Sequence, residues 1–197
     1  MIRYNQFAVA LLGAAVLLFP GCNKQADTKA EFTSAINDYY KAHPVCIWQD
    51  TKKMPVQAAT ADDSKTAGYD ALTDAGLLTR TTAEKKVFII ASKQVNNYDL
   101  SDQGRSAWTP DSTQPGYGNF CYGHRNVDSI DSFTTGVNGS GVKNAEVNYH
   151  YSLTDVPGWA KSQEVQTAFP SLAATLAHSQ QGQDALVLNG NNWQVSK

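Results

Sequence analysis

An apolar run at the start of the chain constrains the cell compartment in which the remaining residues fold. The run covers residues 7–19 and is broken only by Gly13, with Arg3 as a positive charge ahead of it. It is too short for a comfortable membrane span, which needs about 20 apolar residues, and the small residue Gly21 lies just behind it. These features are typical of a secretory signal peptide over residues 1–21. We therefore expect the remaining chain to fold outside the cytoplasm.

Leu18, Gly21 and Cys22, at the end of this run, resemble the lipobox of bacterial lipoproteins. The resemblance implies cleavage before Cys22, lipidation of its thiol and acylation, for example with palmitate, of the new amino terminus. Asn23 instead of an aspartate implies release to the outer membrane, with the body on the periplasmic face. Residues 22–29 are then a lipidated, flexible tether. The alternative is an ordinary signal peptide followed by a chance cysteine.

With Cys22 lipidated, Cys46 and Cys121 are the cysteines that remain. Outside the cytoplasm two leftover thiols normally pair, so we predict a disulfide between them. The closed loop is long, and the chain-entropy model gives such a bond roughly 4 kcal/mol of stabilisation. The alternative is a reactive thiol, with Cys121 as a nucleophile near His124.

The charge of the chain argues against a nucleic-acid partner. Lysine and arginine number 16 and aspartate and glutamate 18, so the formal net charge is −2, and removal of Arg3 with the signal peptide makes the mature chain more acidic. Proteins that bind DNA or RNA usually carry a basic patch or a strongly basic domain. The histidines lack metal-ligand spacing and there is no Cys-x-x-Cys, so we predict no metal and no cofactor.

Local patterns in the first half predict two helices and a strand pair. Apolar residues at helical spacing from Phe32 to Tyr40 indicate a helix over residues 30–43. A second helix is predicted over 64–75, with Gly76 as a left-handed cap behind it. Residues 87–91 form a continuous apolar run of the buried-strand type, and Asn96-Asn97 is predicted as the turn to its partner.

Residues 65–108 are similar to the second half of winged-helix domains, in which a helix ends in a Gly-Leu pair, a two-stranded wing follows and a short capped turn closes the unit. The matching residues are Ala75, Gly76, Leu77, Leu78, Leu100, Ser101, Gly104 and Arg105. The resemblance implies a helical, winged-helix-like subdomain over residues 30–108. In that family the recognition helix contacts DNA, but the helix here carries Asp70 and Asp74 with Lys65 as its base, so DNA binding is not carried over.

Residues 109–119 hold two prolines and two glycines and are predicted to be a linker. Beyond it, residues 120–134 form a long predicted strand with a bulge near Asp128-Ser129. Strict alternation of apolar and polar residues over 145–153 predicts its antiparallel partner, with one buried and one exposed face. Helices and a final hairpin follow. The predicted fold is therefore α+β: a small winged-helix-like N-terminal subdomain, then an antiparallel-sheet subdomain over 120–197 with helices on one face.

Polar side chains cluster on the two long predicted strands. His124, Arg125, Glu146 and His150 form a candidate binding surface. An ordinary solvated sheet face would carry the same kinds of residue. The alternative interpretation is a catalytic group, with His124 acting as an acid or base beside Asp128 or Asp131.

Two functional hypotheses follow. The first is a membrane-anchored, periplasm-facing lipoprotein that acts as a non-enzymatic binding or envelope-assembly module, with the lipid bilayer and an envelope protein as partners. The second is a small periplasmic hydrolase or ligand-processing enzyme that uses His124 with Asp128 or Asp131.

Overall fold

A computed structural model describes residues 22–88 and 91–196 of the chain, so the predicted signal peptide, residues 1–21, lies outside the described residues. The described chain is a mixture of helices and antiparallel strands, as predicted for an α+β fold. In order, the elements are α1 (Cys22–Ala42), β1 (Val45–Cys46), β2 (Lys52–Lys53), β3 (Val56–Ala59), α2 (Asp63–Asp74), β4 (Leu78–Phe88), β5 (Ala91–Leu100), α3 (Asp102–Ala107), β6 (Trp108–Pro110), β7 (Tyr117–Val137), β8 (Lys143–Thr154), a 3-10 helix (Gly158–Lys161), α4 (Gln163–Ala168), α5 (Pro170–Ala177), β9 (Gln180–Asn189) and β10 (Asn192–Val195).

The larger sheet is built around the 21-residue strand β7. Its order is β1-β7-β8-β9-β10, and β2 and β6 also pair with the first part of β7. The β7–β8 hairpin runs from the pair His124–Thr154 to the pair Val137–Lys143. Its register shifts between Val127 and Ser129, where the sequence predicts a bulge. The predicted alternation of β8 is confirmed, because buried and exposed residues alternate along the strand.

Helix α1 crosses one face of this sheet. The ring of Phe32 lies 5.1 Å from that of Phe133 and 5.0 Å from that of Trp193. The residues predicted as a flexible tether, 22–29, form the first turns of this helix instead. Contact with the sheet is in place by Lys29, whose ammonium group donates to the Ile130 carbonyl at 2.7 Å. The buried residues of this first core are Phe32, Ile36, Tyr40, Val127, Ile130, Ala145, Val147, Tyr149, Tyr151 and Leu186.

A second core lies near the first part of β7. There the small sheet β3-β5-β4 and helices α2, α4 and α5 contribute to one cluster. Each core therefore draws on chain from both sides of residues 109–119, and the predicted division into subdomains over 30–108 and 120–197 does not follow the cores. Periodicity identifies the apolar face of an element but not the element that covers it. The buried residues of the second core are Met54, Ala58, Ala71, Leu72, Leu77, Leu78, Tyr98, Phe120, Tyr122, Ala160, Val165 and Leu172.

The end of α2 follows the prediction closely. Gly76 has φ +78°, the Leu77 amide donates to the Leu72 carbonyl at 2.9 Å, and the Gly76 amide donates to the Thr73 carbonyl at 2.9 Å. These two bonds define a Schellman ending. The turn predicted at Asn96-Asn97 is wrong, because both residues lie inside β5, paired with β4 on one side and β3 on the other.

Candidate functional site

The face of the β7–β8 hairpin opposite α1 carries part of the predicted binding surface. Nδ1 of His150 lies 2.7 Å from Oδ2 of Asp131, and both side chains are a little over one third exposed. Glu146 is exposed on the same strand, paired with Thr134 of β7. Successive residues of a strand rise by about 3.3 Å, so Glu146 and His150 are about 13 Å apart along β8. They share a face but not a site.

The residues of the enzyme hypothesis have separate partners in the described structure. Nδ1 of His124 lies 3.6 Å from Oδ2 of Asp155, whereas Asp131 pairs with His150. Asp128 accepts hydrogen bonds from the hydroxyls of Ser152 and Ser179, at 2.8 and 2.9 Å. In the described part of the chain, His124 therefore contacts a different partner from Asp128 and Asp131. A general base must lie within hydrogen-bond reach of the group it acts on. His124, Asp128 and Asp131 therefore do not form one catalytic site in this arrangement.

Arg125 lies on the opposite face of the sheet from the rest of the predicted surface. Its guanidinium carbon is 4.5 Å from the ring centre of Tyr40 and 4.6 Å from that of Tyr151. One of its terminal nitrogens donates to the Tyr40 hydroxyl at 3.1 Å. Burial alone would lower the pKa of Arg125, but Tyr40, Tyr151 and Tyr149 around it hold that pKa above its ordinary value. Arg125 therefore joins helix α1 to the sheet.

A buried carboxylate completes this network. Asp184 is 6% exposed and accepts hydrogen bonds from the hydroxyls of Tyr149 at 2.6 Å and Tyr40 at 3.2 Å. Burial raises the pKa of Tyr149 strongly, and the hydrogen bond to Asp184 raises it further. Such a network fixes how α1 sits on the sheet, because a buried charge that lost these donors would be costly.

A polar cleft of about 380 Å³ opens beside the C-terminal half of α1. Atoms of both His124 and Arg125 line it, although the two side chains point to opposite faces of β7, and Asp155 lines it as well. Charges of both signs line it, so it has no clear preference for an anion or a cation. Its lining residues are Asn37, Asp38, Lys41, His124, Arg125, Asn126, Thr154 and Asp155.

A second cleft, which we call the aromatic cleft, has a volume of about 410 Å³ and is lined by Trp48, Tyr69 and Phe169 among other residues. The ring of Trp48 lies 6.0 Å from that of Tyr69 and 6.3 Å from that of Phe169. The three rings come from the loop after β1, from α2 and from the junction between α4 and α5. Polar groups of Gln57, Ser64 and Lys65 stand around the apolar walls. Sequence analysis missed this cleft, since no local pattern links three such distant segments.

Trp48 is held in place by the first part of β7. Cys46 and Cys121 form the predicted disulfide, with a sulfur–sulfur distance of 2.05 Å. The side-chain amide of the buried Asn119 donates to the Trp48 carbonyl at 2.7 Å and accepts from the Trp48 amide at 3.3 Å. These contacts fix both ends of the dipeptide Ile47-Trp48. The indole therefore stands in the cleft on a rigid support.

Gly68 makes room for the third ring. A Cβ atom at this position of α2 would lie 3.1 Å from the Cζ atom of Phe169. This contact is tighter than ordinary van der Waals packing, so the glycine lets Phe169 approach the helix. A glycine inside a predicted helix was the one sequence signal that something packs closely there.

Within the described residues, no group of three or more metal-ligating side chains could hold a metal ion. The described helices include none with the length and apolar character needed to cross a membrane. Comparison with known proteins found no family model that matches the chain, and no significantly similar curated protein or solved structure.

Proposed function

We propose that this chain is a lipoprotein of the outer membrane, held on the periplasmic face by an acylated Cys22, whose body is a non-enzymatic binding module. The signal-like run and Leu18, Gly21 and Cys22 support the anchor. The Cys46–Cys121 disulfide is consistent with an oxidising compartment.

Labelling with radioactive palmitate tests the anchor. The wild-type chain is expected to incorporate the label and to fractionate with membranes, whereas Cys22→Ser is expected to do neither. A wild-type chain that remains unlabelled in a host that labels its other lipoproteins would contradict the anchor.

The aromatic cleft carries the binding part of the proposal. Clefts with apolar, aromatic walls and a few convergent polar groups are the usual form of ligand site. The cleft lined by Trp48, Tyr69 and Phe169 is suited to one or two side chains of an envelope protein. Lys65 and Gln57 also line it, and since they already contact Asp62 and Asn97, a bound side chain would exchange with those contacts. The polar outer face of β7 and β8, around His150 and Glu146, is then the second contact surface.

Photo-crosslinking in intact cells tests this assignment. A photoreactive phenylalanine analogue replaces Ala67, which is exposed and lines the cleft, or Ala177, an exposed residue at the end of α5 that serves as the matched control. A discrete adduct from position 67 that is absent from position 177 is the expected result. The same abundant neighbours from both positions would count against the cleft as the binding site.

We do not extend the proposal to catalysis, because His124, Asp128 and Asp131 contact different partners. We do propose that residues 65–108 are a winged-helix-like unit used as a scaffold. The order of α2, the Gly76-Leu77 ending, the β4–β5 hairpin and the capped helix α3 supports this resemblance. Helix α2 carries three aspartates and one lysine, so it is acidic and poorly suited to DNA.

A further inference from the structure

The contacts of α1 fix the direction in which it crosses the sheet. Phe32 packs against Phe133. Further along, the Asn37 side chain accepts from the Val127 amide at 2.8 Å, and Tyr40 contacts Arg125. As residue numbers rise in α1 they fall in β7, so the helix is antiparallel to that strand. Its N-terminal end therefore lies at the turn between β7 and β8.

Thr28, near the start of α1, agrees with this placement. It lines one shallow pocket together with Val137, Lys143 and Trp193, and Val137 and Lys143 are the last pair of the β7–β8 hairpin. Cys22 begins the same helix. A helix rises 1.5 Å per residue, so the Cys22 backbone lies about 9 Å beyond Thr28 along the axis. The start of α1 and the β7–β8 turn thus occupy one end of the molecule.

This turn carries an unusual surface. Val137 and Val142 are 64% and 39% exposed and are the large hydrophobic residues that are exposed in the described chain. The Asn138 side chain accepts hydrogen bonds from the amides of Ser140 and Val142, at 3.0 and 2.9 Å. These bonds fix the turn between the two valines, and the exposed Lys143 follows it. The turn is therefore preorganised, and its polar tip is flanked by two exposed valines and a positive charge.

We propose that the β7–β8 turn contacts the lipid bilayer in the acylated protein. The inference rests on the acylated Cys22 of the proposed function. Because α1 is helical from Cys22 onward, an anchor there leaves no flexible spacer, and the turn reaches the bilayer surface together with the acyl chains. Val137 and Val142 enter the interfacial region, where apolar side chains leave water, and Lys143 meets anionic headgroups. The aromatic cleft, near the first part of β7, then faces away from the membrane.

Fluorescence quenching in vesicles tests this orientation. Acylated protein is purified with an environment-sensitive dye on Ser140→Cys, in the turn, or on Ser112→Cys, an exposed control just before β7. Each is placed in vesicles of phosphatidylethanolamine and phosphatidylglycerol that contain a shallow nitroxide-labelled lipid. Mass spectrometry and flotation establish acylation and membrane attachment in the same samples.

The expected result is a blue shift and quenching of the dye at position 140, with neither change at position 112. Val137→Asp combined with Val142→Asp should abolish the quenching at position 140 while the protein still floats with the vesicles. Acylated, floating protein without quenching at 140, or with equal quenching at both positions, would overturn the orientation and leave the anchor intact. Protein that carries no acyl group and does not float would overturn both.

Discussion

At the scale of a single residue, Arg125 and its neighbour His124 show that two polar residues adjacent in sequence can lie on different faces of a strand. His124 and Arg125 are adjacent and were assigned to one surface. Successive side chains of a strand point to opposite faces, so the two cannot share the outer face of β7. Arg125 instead stacks between Tyr40 and Tyr151 beneath α1, and its buried Nε atom has no hydrogen-bond partner among the described residues.

Replacement of Arg125 with methionine should destabilise the protein. Met keeps the apolar stem but removes two contacts with tyrosine rings and a hydrogen bond, so we expect the free energy of unfolding to fall by about 2 kcal/mol. Urea unfolding measures it. Arg105→Met is the matched control, because that arginine pairs with Asp102 on the exposed surface and should leave the midpoint unchanged. Equal midpoints for both variants would contradict a stabilising role for the stack.

Tyr149 makes stability depend on alkaline pH. Its hydroxyl is buried and bonded to Asp184, which holds its folded-state pKa above the ordinary value of 10.0. The unfolded chain ionises first, so this stabilisation is fully present below about pH 10 and is lost as the pH rises above it. The slope should be about 1.4 kcal/mol per pH unit for this tyrosine. Urea unfolding between about pH 8 and pH 11 measures it, and Tyr149→Phe should show a shallower decline; an identical decline would contradict the assignment.

At the scale of an element, the short helix α3 is locked to the end of α2. The Ser101 hydroxyl donates to the Gly76 carbonyl at 2.6 Å and accepts from the Gly104 amide at 2.8 Å. A Cβ atom on Gly104 would lie 1.8 Å from the Leu77 carbonyl oxygen. The Ser-x-x-Gly spacing in the sequence therefore has a packing reason, since only glycine allows this approach.

Gly104→Ala should force α3 away from Leu77. The obstacle is backbone, which cannot rotate aside, and we expect a loss of about 2 kcal/mol in the free energy of unfolding, in the usual range for overpacking. Gly139→Ala is the matched control, because no atom of the described residues lies within 4 Å of a Cβ atom there. Thermal unfolding of both variants measures the difference. An unchanged melting temperature for Gly104→Ala would show that α3 can move at little cost.

At the scale of the whole molecule, the chain is interlocked across its predicted linker. Phe32 and Ile36 of the first half complete the core over β7 to β10, whereas Val165 and Leu172 of the last helices complete the core around α2. The Cys46–Cys121 disulfide joins the halves a third time. Because the two halves share both cores, the position of the β7–β8 turn also fixes the direction in which the aromatic cleft faces.

Neither half should fold alone. Fragments covering residues 30–108 and 120–197 each lose part of both cores, so we expect neither to show a cooperative urea transition, in contrast to the full chain. Circular dichroism and amide dispersion in NMR spectra measure this. A cooperative transition in the 30–108 fragment would restore an independent winged-helix-like subdomain.

Local sequence determined much of the architecture. Alternation specified β8, the phase change near Asp128 specified the bulge in β7, and Gly76 with Leu77 specified the end of α2. In each case the information lies within a few residues, because backbone conformation and side-chain period are local properties. The Cys46–Cys121 pair was also predictable, on the expectation that Cys22 carries a lipid and leaves these two thiols to each other.

Tertiary structure alone decided what each face covers. The pattern of α1 predicted an apolar stripe but not that the stripe packs on β7 and β10, and Asn96-Asn97 resembles a turn although β3 and β4 hold it in a strand. The aromatic cleft joins Trp48, Tyr69 and Phe169 across more than a hundred residues of chain. Burial of apolar surface is non-directional and does not depend on how far apart two segments lie in the sequence. The partner of each apolar face is therefore fixed only when the whole chain folds.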